Sequence, residues 1–89
     1  MDKNEVYDYV KTTLAEATMR DLNSINMDQE LEATLGLDSI GMASVLAKFE
    51  PLFEAHENPN ELVRSLLLCE KVEDLVETIY TSMNQQERV

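Results

Sequence analysis

The sequence predicts an all-α fold: a bundle of four helices, three longer and a short third one, in a single domain over residues 1–89. Three observations predict it. Apolar residues recur at three-to-four spacing in separate stretches of the chain. Capping residues stand ahead of those stretches. The length of 89 residues, with 44% hydrophobic residues, suits one domain with one modest core.

Residues 3–20 read as the first helix. Val6, Val10, Leu14 and Ala17 make its apolar face, with Tyr9 and Met19 widening it. Asp2, Glu5 and Asp8 favour the helix start and Arg20 the other end. Residues 21–38 read as a long connection. Asn23, Ser24, Asn26 and Asp28 form turns and caps. Leu22, Ile25, Met27, Leu31 and Leu35 are spaced too irregularly for one helix; a few of them are expected to pin the loop over the bundle, with Leu31 and Leu35 four apart on a short turn. So long a connection in so small a domain is often functional. Asp28, Glu30 and Glu32 alternate, but the glycine and the terminal glutamate of a calcium loop are absent.

The second helix follows a turn at Gly36. Asp38 is the candidate N-cap and Ser39 the first helical residue, with Pro51 expected to end the helix. A phosphate on the Ser39 hydroxyl would sit at the positive end of the helix dipole. Met42, Val45, Leu46 and Phe49 make a core stripe, whereas Ile40, Ala43 and Ala47 make a second one beside Ser39. Either the helix is buried on a wide face, or the second stripe docks a partner around a modified serine.

Leu52 and Phe53 are expected to cover the core, and residues 54–58 to form a solvated loop. His56, the single histidine, reads as a surface loop residue; no cysteine or second histidine is near it for a metal site. It does not complete a triad with Ser39 and Asp38, because a carboxylate adjacent in sequence to the nucleophile does not orient the base. Asn58, Pro59 and Glu61 announce the short third helix as cap, first residue and capping box. Leu62, Val63, Leu66 and Leu67 are its apolar face, and it should end near Leu68. Cys69 reads as a small buried apolar residue. The last helix spans residues 70–83, with Val72, Leu75, Val76, Ile79, Tyr80 and Met83 inward. The helical core is thus about residues 3–83, and residues 84–89 form a polar, fraying tail.

The chain holds 18 acidic and 7 basic residues, for a net charge of -11. The excess is spread along the chain, so it is not an acidic tail. Nucleic acid and anionic membranes are not expected as partners, since both need clustered Lys or Arg. Basic protein surfaces are favoured. No apolar run reaches the length of a membrane span, and no N-terminal signal is seen. One cysteine makes no internal disulfide, which points to a reducing cytoplasm. No metal cluster, phosphate-cradling glycine loop or carboxylate pair in an evident pocket is present, so an enzyme is not expected. The chain starts at Met1 and ends soon after the last helix, which suggests a discrete protein; a monomer is expected.

Leu35-Gly36-Leu37-Asp38-Ser39-Ile40, with a helix opening at the serine, resembles the acyl carrier protein family. Val72-Glu73-Asp74-Leu75-Val76-Glu77-Thr78-Ile79 resembles that family's last helix, and the likeness extends over about residues 3–83. It implies an acyl-carrier-like bundle with 4'-phosphopantetheine, taken from coenzyme A, on Ser39. Asp38 would present the serine and help the transferase recognise it. The arm's thiol, not Cys69, would hold acyl groups as thioesters. Implied partners are a phosphopantetheinyl transferase, an acyl-loading enzyme or acyltransferase, and a ketosynthase or other acyl-processing enzyme. Ile40, Ala43, Ala47 and Glu50 are the docking candidates, and Leu66 and Leu67 are candidates for lining an acyl cavity. Core packing explains those two leucines equally well.

The chain departs from the family at Gly41, Ser44 and Lys48, where acids are usual. This points to a dedicated carrier in polyketide, fatty-acid-like or other specialised lipid synthesis. Gly41 costs up to about 1 kcal/mol in a helix interior, less near the end, and is tolerable where something approaches the backbone closely. A peptidyl or aminoacyl carrier of a nonribosomal pathway is the neighbouring alternative, although Asp38 stands where glycine is usual. A small acidic helical adaptor without a prosthetic group is the alternative from another class.

Overall fold

Asp2 opens the first helix, α1 (Lys3–Thr18), through a capping box with Glu5. The Asp2 carboxylate accepts from the Glu5 N–H (2.9 Å) and the Glu5 carboxylate from the Asp2 N–H (3.2 Å). Val6, Val10 and Leu14 are fully buried, and Ala17 and Tyr9 pack at the core's edge. The helix stops two residues before the expected end. Met19 turns left-handed (φ 56°), and the Met19 and Arg20 N–H groups bond back to Glu16 O and Ala15 O. That closure swings Met19 out to 93% exposure, so it does not widen the buried face. The computed structural model describes residues 2–87, and side chains through residue 83.

The long connection contains a one-turn 3-10 helix at Leu22–Ser24. Ile25, Leu31, Leu35 and Leu37 are buried, while Leu22 stays exposed. Backbone pairing holds this segment down: Glu30 and Lys71 form an isolated antiparallel bridge. The Leu31 N–H donates to Glu70 O (2.8 Å), the Val72 N–H to Gln29 O (3.0 Å) and the Glu73 N–H to Met27 O (2.9 Å). Gly36 takes a positive φ of 72°, the conformation that side chains penalise.

The segment leads into α2 (Ser39–Lys48), which is followed by α3 (Glu50–Ala55), α4 (Pro59–Leu67) and α5 (Val72–Glu87). Helix α3 corrects the sequence reading. The break falls at Phe49 (φ -87°, ψ 4°), and Pro51 sits in the first turn of a further helix. A proline there loses no hydrogen bond, because the first helical N–H groups have no partner inside the helix. The supposed loop over residues 54–58 is therefore helical to Ala55. Phe49, fully buried, stacks on Tyr9 with ring centroids 5.6 Å apart, and Leu52 is buried beyond it.

Two further corrections concern the start of α4. Asn58 precedes it, but its side chain makes no capping bond and no capping box forms. Its N–H is taken instead by His56 Nδ1 at 2.9 Å. His56 is not a solvated residue: it is half-buried, and its Nε2 bonds Ser82 on α5. Leu62 and Leu66 enter the core, as do Val72, Leu75, Val76 and Ile79 of α5. Helix α5 runs on to Glu87, past the expected end at residue 83. Of the expected tail, residues 88 and 89 lie outside the described residues.

The described residues form helices, turns and the single bridge, without a strand. Helices α1, α2, α4 and α5 surround the core. The pairings at residues 27–31 and 70–73 bring the connection, the start of α2 and the end of α4 to one end of the bundle.

Candidate functional site

Asp38 has the extended backbone of an N-cap, and its carboxylate accepts from the Gly41 N–H at 2.8 Å. Ser39 is thereby fixed as the first residue of α2, and it is exposed. No described residue hydrogen-bonds its hydroxyl. The helix dipole favours an anion beside it, against the negative charge of Asp38, whose carboxylate already takes the Gly41 N–H.

The two stripes of α2 separate in the structure. Val45, Leu46 and Phe49 are buried and Met42 is half-buried. Ile40 is 79% exposed, and Ala43 and Ala47 are exposed with it. Glu50 is exposed too, but it opens α3, beyond the break at Phe49. Lys48 at the far end of α2 pairs with Glu16 of α1 at 3.7 Å.

A groove of about 600 Å³ opens beside Ser39. Its apolar wall is Leu31, Leu37, Met42 and Leu67, and its rim carries Glu30, Glu32, Asp38 and Glu70. Leu67 is 56% exposed, whereas Leu66 is fully buried in the core and is not part of the groove. The structure thus parts the two leucines that the sequence offered together. Sequence reasoning missed Leu37 and Met42 as groove residues. A signal was there: flanking the cap Asp38, they stand at the two positions of a hydrophobic staple, N′ and N4.

Cys69 also lines the groove. Burial pushes its thiol above the ordinary value, the Asp74 charge adds to that, and a hydrogen bond with Thr78 opposes it. Its Sγ lies 3.5 Å from both Ser65 O and Thr78 Oγ1. A thiol held protonated is a poor nucleophile.

A second cleft, of about 530 Å³, is lined by His56, Glu61, Glu77 and Ser82 among others. The His56–Ser82 contact invites a nucleophile–base reading, which the hydrogen bonds refuse. Nδ1 accepts from the Asn58 N–H, so the neutral ring carries its proton on Nε2 and donates it to Ser82. Such a ring does not take the serine's proton. Among the described residues no group of acids, histidines or cysteines is set to hold a metal ion. No described helix is long and apolar enough to cross a membrane.

A comparison with protein-family models matches residues 8–79 to the family described as the phosphopantetheine attachment site. The chain belongs to that family. Comparisons with curated proteins and with solved structures found no match. The match spans most of the bundle, from α1 into α5, and identifies the chain as a member of the acyl carrier protein family. It is a phosphopantetheine-bearing carrier, and the group is held covalently. The adaptor reading without a prosthetic group is thereby set aside. Carrier domains of this family are in general not catalysts; they work with a phosphopantetheinyl transferase and acyl-processing enzymes.

The residues at the head of α2 fit the group. An exposed hydroxyl, free of internal hydrogen bonds, stands at a helix N-terminus with a half-apolar groove beginning beside it.

Proposed function

We propose that the chain carries 4'-phosphopantetheine on Ser39 and delivers acyl intermediates to partner enzymes of polyketide, fatty-acid-like or other specialised lipid synthesis. The observation that carries this reading is the exposed Ser39 at the start of a capped helix, within the family match. When bound, the group supplies a thiol on which an acyl cargo is held as a thioester. The chain's own residues do the rest. Asp38 fixes the first turn through the Gly41 N–H and so presents the hydroxyl to the transferase, with coenzyme A as donor. Ile40, Ala43 and Ala47 offer a small apolar face to acyl-loading enzymes and ketosynthases, and Glu50 lies at its far edge. Leu67 lines the groove, whereas Leu66 reaches a cargo only if α4 shifts. The carrier is taken to be a cytoplasmic monomer whose residues 1–89 form one domain. The absence of acids from Ile40 to Ala47 favours a dedicated pathway over general fatty-acid synthesis.

Incubation with coenzyme A and a broad-specificity transferase, followed by intact-mass measurement, tests the reading. One added phosphopantetheine is expected on the natural chain and none on Ser39→Ala.

A further inference from the structure

We propose that Gly41 is a positioning residue for the attachment reaction, acting through Leu37; the proposal rests on Ser39 as the attachment point. Gly41 is the third residue of α2, and its N–H holds the Asp38 cap. A Cβ built on Gly41 would lie 3.0 Å from Leu37 Cδ2, 3.4 Å from Asp38 Oδ1 and 3.7 Å from Leu37 Cβ. The first of these is too close for packed side chains without a shift. Leu37 therefore fills the space that a side chain at position 41 would need.

The backbone of Leu37 is held in place, so it is the side chain that must give way. It is 5% exposed, and its N–H is held by Leu31 O at 2.9 Å. It also lines the groove beside Ser39, together with Met42. A methyl group at position 41 would leave Leu37 two ways to move: outward into the groove, or inward against a filled core. The outward path is the easier one, because overpacking a core forces strained side chains. It would narrow the groove where Ser39 stands and disturb the residue that leads into the Asp38 cap. Glycine at this position keeps both in place. Helix propensity alone favours alanine over glycine here, so helix stability does not account for the glycine.

The test uses the full chain, a phosphopantetheinyl transferase and coenzyme A. The natural protein, Gly41→Ala, Leu37→Val and the double variant are compared by modification kinetics, by mapping of the modified peptide and by thermal unfolding. Gly41→Ala is expected to hold or raise the unfolding midpoint. Its modification kcat is expected to fall about tenfold with little change in KM, as misplacement of a reacting group does. Leu37→Val removes the crowding δ-carbons, so the double variant should recover most of the rate. An unchanged kcat in Gly41→Ala overturns the proposal, and so does an equal loss in the double variant. Failure of Gly41→Ala to fold overturns it as well, since stability is expected to hold. Mapping of the group in the natural protein to another residue overturns the Ser39 reading, and this proposal with it.

Discussion

Cys69 sits against the Ser39 groove, yet the structure gives it the chemistry of a structural thiol. Burial and the Asp74 charge raise its pKa, so it reacts as thiolate only at higher pH than a free cysteine. Alkylation of the unmodified chain by iodoacetamide should be slower than that of a small thiol at the same pH. Its half-rise should lie on the alkaline side of the ordinary thiol value. A half-rise at or below that value would show an activated cysteine. At this scale Asp38 and Ser39 were legible in the sequence, because a cap and the residues it serves lie within one turn. The partners of Cys69 and His56 were not. Thr78 is 9 residues from Cys69, and Ser82 is 26 from His56. Nothing in the neighbouring letters announces such pairs.

Helix α2 divides cleanly between a buried and an exposed face, and substitutions should respect the division. Val45→Asp or Phe49→Asp would bury an unpaired charge at fully enclosed positions and should unfold the protein. Ile40→Ala removes a side chain that is mostly in water and should change stability by no more than about 0.5 kcal/mol. Urea unfolding checks both, and a large loss in Ile40→Ala would mean that this residue packs inward. The faces were readable because their spacing is periodic. Helix α3 was not, since a proline serves equally as the end of one helix and the first turn of the next. The anchoring of residues 27–31 to residues 70–73 was hidden for another reason: backbone pairing leaves no mark on side-chain pattern.

Across the whole molecule, the charge of -11 acts at a distance, whereas the docking face proposed at Ile40, Ala43 and Ala47 would act at contact. Steering and docking of a basic partner should therefore separate. Neutralising Asp28, Glu30 and Glu32 should slow association with a cognate acyl-loading enzyme and flatten its salt dependence. Ala43→Glu should mainly speed dissociation, because it places a bulky charge at the contact centre. Stopped-flow binding across a salt series reads both rates; an unchanged dissociation rate in a folded Ala43→Glu would remove the docking face from the account. All of this depends on where the arm is attached. The most direct test is site-resolved mass spectrometry after treatment with coenzyme A and transferase, on the natural chain, Ser39→Ala and Cys69→Ser. The account predicts a single phosphopantetheine on the Ser39 peptide of the natural chain and of Cys69→Ser, and none on Ser39→Ala. Modification that persists in Ser39→Ala would contradict it.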